Sequence, residues 1–327
     1  MRTVMSRPPR ACSRTRRGIS ISASQPLFAG QELFFWPRST IYRAVIPCVA
    51  AAVLWALIFL VLHDQSRMWS HARGGLLRIT PVGLTLQGTA IGLLLVFRTN
   101  NSYQRLAEAR GLWGRAIYLI REMVQTVGAV LNTRRGEPLP PCAASIQLVR
   151  CCAAFGWVLK AKLRDGEECG DVLETLLPTV GKWVASQRNP PVALVGCMRR
   201  VIQAEYEAQR LPVHLHYKLE EDIKELDLVV GGCERLFSSP ISTSMSRHVV
   251  RSLALWLLTL PVVLVGQLSS LLVVFYVAAT AYIYIGIEEL GVQVEQPFDV
   301  LPMFQMAHVV ATSAEDALAM PGCTQEL

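Results

Sequence analysis

Apolar residues are concentrated in three long segments of the 327-residue chain, and these segments predict membrane-spanning helices. The segments 45–62 and 81–97 carry no charge, and each is close to the roughly 20 residues with which a helix crosses the hydrocarbon layer. The segment 249–287 is about twice that length and contains Gly266, Ser269 and Ser270 near its middle. It predicts two helices, 249–266 and 269–287, joined by a turn, which makes four spans.

The chain between these segments, residues 100–248, has a different pattern. It is rich in charged residues and leucine, with the apolar spacing of a helix at Leu219, Ile223, Leu226 and Val230. Residues that stop helices occur in four short stretches, at 134–141, 164–170, 189–191 and 238–240. Runs of alternating β-branched residues are scarce. The pattern predicts an all-α polytopic membrane protein with four transmembrane helices and a helical stromal or cytosolic region at 100–248.

Composition supports the membrane assignment. The chain is 52% hydrophobic and 17% charged, with a mean hydropathy of +0.34, whereas about 25% of the residues of a soluble domain are charged. A buried helical pair in a soluble core can imitate one of the apolar runs. Four such runs in one chain favour a membrane.

Positive charge is concentrated at the N-terminus of a chain whose formal net charge is +7. Residues 1–31 contain serines, no acidic residue and six arginines: Arg2, Arg7, Arg10, Arg14, Arg16 and Arg17. This is typical of a chloroplast or mitochondrial transit peptide. The alternative is a disordered basic tail on a protein of another organelle or the plasma membrane. We divide the chain into this segment (1–30), a main domain (31–303) that holds the apolar segments and the region between them, and a C-terminal tail (304–327).

The sequence contains no recognisable catalytic chemistry. Phosphate-binding loops, nucleophile elbows and zinc-protease signatures are missing, and the nine cysteines form no C-x-x-C pair, so we expect free thiols in a reducing compartment. His214 and His216 would point to different sides of a helix, and we expect exposed side chains there rather than zinc ligands. Glu220–Asp222 reads as a solvated helix face. We predict no enzymatic activity, cofactor, metal or nucleic-acid partner.

Residues four apart form a stripe along the second apolar segment. Thr89, Leu93 and Phe97 share one helix face, which Asn101 and Arg105 continue beyond the apolar run. Spacing alone leaves two interpretations open. Such a stripe either packs against another helix or lines a pore.

Three sequence blocks resemble those of the bestrophin family of anion channels. The block 97–114, FRTNNSYQRLAEARGLWG, is similar to the family signature F-R-x-N-x-x-Y-x-R followed by E-x-R-x-x-W. The block 231–242, GGCERLFSSPIS, resembles G-x-C-E-R-x-x-x-T-P-I-P, and the block 287–302, IEELGVQVEQPFDVLP, resembles the stretch ending in P-F and L-P. The three blocks keep the family order over most of the chain.

The resemblance implies a homopentamer with a central pore lined by the second helix of each subunit. Thr89, Leu93 and Phe97 would then be neck positions, and Ile241 would form a second constriction. The family signature also places Arg98, Asn100, Asn101 and Arg105 at the pore mouth. Arg98 and Arg105 would draw anions there, or else pair with acids of neighbouring helices: Glu108, Glu122 or Glu234.

The departures from the family pattern narrow the expected function. Ser242 and Met245 replace a proline and a tyrosine, so the geometry after Ile241 differs from the family pattern. A single acid, Asp299, stands directly after Phe298, where animal bestrophins have a run of acids, so their calcium clasp is not carried over. The short form PFDVLPM looks most like the plastid branch. We expect an anion channel for chloride or bicarbonate in the thylakoid membrane, in contact with membrane lipids; the alternative is a non-conducting membrane scaffold or assembly protein.

Overall fold

The computed structural model describes residues 40–70, 81–131, 133–134, 137–138, 142–164, 169–239, 243–265 and 267–318. The predicted transit segment, 1–30, lies outside the described residues. Contacts divide the chain into two compact units. We call them the membrane unit and the helical unit and describe each by itself.

The membrane unit contains α1 (Thr40–Ser70), α2 (Val82–Leu131) as far as Leu106, α8 (Thr243–Leu264) and α9 (Ser270–Glu295). Within the described residues, four helices are long and apolar enough to cross a membrane, which confirms the predicted all-α, four-span fold. Each helix includes most of its predicted span and continues past it. The turn between α8 and α9 falls where glycine and serine predicted it, with the amide of Gln267 donating to Leu264 O at 3.0 Å.

The core of the membrane unit is formed where α1 packs on α9 and α8 packs on both. Ala56 of α1, Leu95 of α2, Val249 of α8, and Val273 and Val277 of α9 are almost completely buried in one apolar cluster. The opposite sides of these helices carry large exposed apolar residues, such as Leu54, Leu255 and Phe275. An apolar exterior of this kind is what a helix facing lipid requires.

The helical unit begins within α2 at Ala107 and continues through five further helices. These are α3 (Ala143–Leu163), α4 (Gly170–Leu176), α5 (Gly181–Ser186), α6 (Pro190–Glu207) and α7 (Val213–Ser238). Between α2 and α3, a two-residue antiparallel pair joins β1 (Thr133–Arg134) to β2 (Glu137–Pro138). The four stretches predicted to interrupt helices all coincide with helix ends. At Asn189, for example, two prolines occupy the first turn of α6, where their missing amides cost no hydrogen bond.

The C-terminal part of the helical unit differs from prediction. A short helix α10 (Pro297–Val300) leads into α11 (Met303–Leu318), which packs along α3. At Gly156 of α3, a Cβ atom would lie 3.0 Å from the Cα of Ala307, so a larger residue would require α11 to shift outward. The tail predicted over 304–327 therefore starts too early, because the apolar face of 303–318 is buried against α3.

The charged face predicted at Glu220–Asp222 is also only partly exposed. Glu220 pairs with Arg199, but Asp222 lies on the buried side of α7, beside Leu219 and Ile223, and keeps 9% of its surface exposed. Burial raises the pKa of the Asp222 carboxyl, and Lys218, whose Nζ lies 3.5 Å from Oδ2, partly opposes that effect. Helical periodicity, rather than the charge run itself, decides which of the three acids is buried.

Candidate pore-lining face of the second helix

One face of α2 in the membrane unit is not covered by the other described helices of the subunit. Thr89, Leu93 and Phe97 all lie on it, and the side chains of Leu93 and Phe97 are 57% and 55% exposed. The Thr89 hydroxyl donates to Thr85 O at 3.0 Å, so its donor is satisfied within the helix. The stripe that the sequence predicted is therefore a continuous surface with a mainly apolar character. Within one subunit it does not serve as packing.

The opposite face of α2 is held against α8 and α9. Trp256 of α8 covers Gly88, where a Cβ atom would lie 2.9 Å from the indole ring, and its Nε1 donates to Leu84 O at 3.0 Å. Ile91 and Leu95 are buried on the same side. A larger residue at Gly88 would push the helix away from Trp256. This packing sets the rotation of α2 and so determines that the predicted stripe is exposed.

Arg98 lies on the buried side, next to Phe97 in sequence but turned away from it. Its side chain keeps 3% of its surface exposed, its guanidinium forms an ion pair with Glu288 of α9, and Nη2 lies 3.6 Å from Glu295 Oε2. Among the described residues, three further buried polar atoms of this cluster have no hydrogen-bond partner: Arg98 Nε, Ser102 Oγ and Glu288 Oε2. Such atoms are usually satisfied by internal water, and a water here would have both donors and an acceptor.

The predicted pairing of Arg98 with Glu108, Glu122 or Glu234 is wrong. These acids belong to the helical unit, where they bond to Arg235, Lys218 and Asn189. Glu288 and Glu295 take their place because both lie on the face of α9 that meets α2. One sequence signal points to such a partner: Arg98 follows Ile91 and Leu95 at helical spacing, and a charge on a buried stripe requires an opposite charge.

The remaining predicted mouth residues behave differently from Arg98. Asn100 and Asn101 are exposed and follow the apolar stripe directly, while Arg105 is half-buried. α2 does not end at this change from apolar to polar residues but continues to Leu131. The second constriction predicted at Ile241 lies outside the described residues.

The exposed stripe has the chemistry of a surface that attracts anions weakly. A phenyl ring has a positive edge and a negative face, so rings presented edge-on attract anions weakly without the strong binding of a guanidinium. A narrow apolar ring also gates by expelling water. In the part of the chain that the structure describes, no three His, Cys, Asp or Glu side chains are grouped to hold a metal. Of the two histidines considered as ligands, His216 stacks on Tyr206, with ring centroids 4.4 Å apart.

Comparisons with known proteins agree with these observations. Residues 20–316 match the family model described as Bacterial/Fungal Bestrophin protein. The chain is 27% identical over 287 residues to the voltage-dependent anion channel-forming protein sll1024 of Synechocystis, covering 85% of this chain and 89% of that protein. It is 28% identical to the voltage-dependent chloride channel 2, chloroplastic, of Arabidopsis thaliana. That match covers 86% of this chain and 67% of the Arabidopsis protein.

Solved structures show the same similarity. A variant of a bacterial bestrophin homologue from Klebsiella pneumoniae superposes with a TM-score of 0.75 at 26% identity. The match covers 85% of this chain and 100% of that chain.

The buried ion pair leads to a prediction about stability. Arg98→Met leaves Glu288 buried without its cation, and we expect the free energy of unfolding to fall by about 3–5 kcal/mol. Arg98→Met combined with Glu288→Met removes both charges and should recover most of that loss. Arg115→Met is the matched control, because its pair with Glu225 is exposed and should contribute about 0–1 kcal/mol. Thermal unfolding of the purified proteins in detergent measures all three, and equal losses for Arg98→Met and Arg115→Met contradict the prediction.

Proposed function

The chain belongs to the bestrophin family, and from that premise we propose that it is an anion channel conducting chloride, bicarbonate or both by passive diffusion. The observation that carries the proposal is the uncovered stripe of Thr89, Leu93 and Phe97 on α2. The family is one of channels rather than enzymes, and the relatives of the chain in Synechocystis and Arabidopsis are named as anion and chloride channels.

The stripe makes a neck only when several copies of α2 surround one axis, and we propose a homopentamer. Each subunit then contributes one Phe97 ring at the same level, followed toward the polar side by Asn100 and Asn101. An anion entering the neck exchanges part of its water for ring edges and, at the mouth, for asparagine amide donors. Both interactions are weak enough to release the ion again, which conduction requires.

The buried position of Arg98 affects this mechanism. Because its guanidinium is neutralised by Glu288 and Glu295, Arg98 supplies no free positive charge to the pathway. Its role in the proposal is to keep α2 rotated so that Phe97 faces the axis. Ile241 remains the proposed second constriction, on the strength of the family resemblance of the block 231–242.

We further propose that the channel lies in a plastid membrane, with the thylakoid as the specific site. The support comes from six arginines without an acid in residues 1–31, and from two relatives named as chloroplastic channels. The exposed apolar sides of α1, α8 and α9 would face membrane lipids and neighbouring subunits.

Conduction tests the proposal directly. We expect purified protein in planar bilayers to pass current whose reversal potential follows the chloride gradient, and bicarbonate to replace chloride as the carrier. Reversal potentials in mixed chloride and bicarbonate solutions give the relative permeability. A reversal potential that follows the cation gradient refutes the proposal, and silence of a folded pentamer favours the non-conducting scaffold.

Phe97 tests the assignment of the neck. Since its ring is 55% exposed in the subunit, Phe97→Ala sacrifices little internal packing, and we expect normal folding with larger current and weaker preference for anions over cations. Leu93→Ala on the same stripe should act similarly. Leu95→Ala is the control. The Leu95 side chain is only 1% exposed, so its truncation should cost about 2–5 kcal/mol of stability without changing selectivity. If Phe97→Ala and Leu95→Ala lose stability alike and neither alters selectivity, the exposed stripe is not the neck.

The proposed location has a separate test. Import of the full chain into isolated chloroplasts should yield a shortened protein in the thylakoid fraction, with cleavage between Arg17 and Gly30. Replacing the six N-terminal arginines by glutamine should abolish import, because transit peptides depend on that positive charge. Recovery of the full-length chain at the plasma membrane of intact cells contradicts the assignment.

A further inference from the structure

The helical unit contains a cavity that neither the fold nor the proposed channel uses. Its volume is about 480 Å³, within the range of sites for small molecules. Three parts of the chain form its walls: the start of α3, the loop before α5, and α6 with the residues that follow it. Alanine and valine side chains make up much of the wall, and six residues bring polar or sulfur atoms to it: Cys142, Gln147, Cys197, Arg200, Glu205 and Arg210.

The wall formed by the end of α6 is rigid. Glu205 is 4% exposed and accepts two hydrogen bonds from Arg210, at 2.7 Å from Nε and 2.6 Å from Nη2. Gln209 adopts a positive φ of 57°, and the amide of Arg210 bonds back to Glu205 O at 3.1 Å. The left-handed residue turns the chain back toward the last turn of α6, and the backbone and side-chain bonds to Glu205 position Arg210. The cavity therefore exists before any ligand arrives.

The opposite wall is the first turn of α3. Cys142 precedes the helix, and its Sγ accepts from the amide of Ser145 at 3.4 Å. The Ser145 hydroxyl donates to Cys142 O at 2.9 Å, which fixes the same turn a second time. Cys142 is half-buried, so its thiol is reachable from the cavity.

Charge in the cavity is unbalanced. Glu205 and Arg210 neutralise each other, and both oxygens of Glu205 are occupied. Within the described part of the chain, Arg200 is in no ion pair, in contrast to its neighbour Arg199, which lies 2.9 Å from Glu220. The guanidinium of Arg200 lies 5.9 Å from the centre of the Trp183 ring, which positions it without neutralising it. It is also close enough to Cys197 to oppose the rise in that thiol's pKa caused by burial.

We propose that this cavity binds a small organic monoanion, with its carboxylate on Arg200 and its apolar body against the alanines and valines. A single unpaired guanidinium matches a single negative charge and forms a two-point contact with a carboxylate. Gln147, which also lines the cavity, offers an amide donor. Glu205 neutralises the charge of Arg210, so the cavity offers one uncompensated positive charge, which matches a monoanion better than a dianionic phosphate. The proposal is independent of the channel function, because all of its residues lie in the helical unit.

Benzoate is the probe for the test, with benzamide as its neutral analogue and inorganic phosphate as a bare anion. Titrations use the full chain in detergent; saturation-transfer NMR follows benzoate and benzamide directly and follows phosphate, which has no carbon-bound protons, by its displacement of benzoate. We expect saturable benzoate binding with a dissociation constant on the order of 1–10 mM for so small a ligand. We expect no saturable binding of benzamide or phosphate in that range. Equal binding of benzamide overturns the role of charge, equal binding of phosphate overturns the organic anion, and the absence of benzoate binding overturns the site.

Variants locate the binding. Arg200→Gln should weaken benzoate binding about ten- to a hundredfold, the usual effect of losing a charged hydrogen-bond partner. Arg199→Gln is the matched control and should leave binding unchanged, since Arg199 is ion-paired outside the cavity. Both side chains are exposed, so neither substitution should impair folding, which thermal unfolding verifies. Benzoate binding that survives in Arg200→Gln places the probe elsewhere and overturns the proposal.

Alkylation of Cys142 measures occupancy of the cavity in a second way, which does not depend on whether the protein conducts ions. Iodoacetamide labelling followed by mass spectrometry should show benzoate slowing the modification of Cys142 in proportion to the fraction bound. Cys169, also half-buried in the helical unit but outside the cavity, should react at the same rate with and without benzoate. Burial raises the pKa of Cys151 and of Cys233 to about 12, so these thiols contribute little background. Unchanged labelling of Cys142 at saturating benzoate contradicts the assigned position.

Discussion

The burial of one face of α2 against α8 and α9 is the constraint on which the membrane unit depends. Trp256 requires glycine at position 88, and Arg98 requires Glu288 and Glu295. These contacts lie about three turns apart on the same side of the helix, so they fix its rotation at two levels. Once the rotation is fixed, Thr89, Leu93 and Phe97 lie on the exposed face of the helix.

Two residues that are adjacent in the sequence, Phe97 and Arg98, have different roles in this arrangement. Arg98 stabilises the helix packing, and Phe97, the preceding residue, presents its ring on the uncovered face. A free arginine at the neck would bind anions strongly and slow their release, whereas a buried and neutralised arginine leaves the surface weakly attractive. A buried ion pair adds little net stability, because desolvation of both charges offsets their attraction. What it adds here is specificity, since α2 rotated to any other angle would leave Glu288 unpaired.

The helical unit is held together by apolar packing between helices. Its core is built by α3 with α6, α7 and α11, and close approach at Gly156 brings the C-terminal helix into that core. Its surface holds a cavity beside one exposed arginine, Arg200, which is in no ion pair among the described residues. The proposed ligand would exchange the water around this guanidinium for a two-point contact with a carboxylate, next to an apolar wall.

Local sequence determined where the helices of this protein lie and where they end. Three long apolar segments, the third of double length, predicted the four membrane helices, and glycines, prolines and asparagine predicted where helices end, because hydropathy and backbone freedom act over a few residues. Helical spacing placed Thr89, Leu93 and Phe97 on one face. Spacing left open whether that face is buried, since it gives relative angles and no absolute direction.

Tertiary structure decided the rest, since each remaining feature joins residues that are far apart in the chain. Glu288 stands 190 positions from Arg98, so the pair exists only after α9 packs on α2. Residues 303–318 read as a tail until α3 supplied the apolar face that they cover. The exposed direction of Phe97 likewise became visible only when Trp256, Glu288 and Glu295 had occupied the other side of its helix.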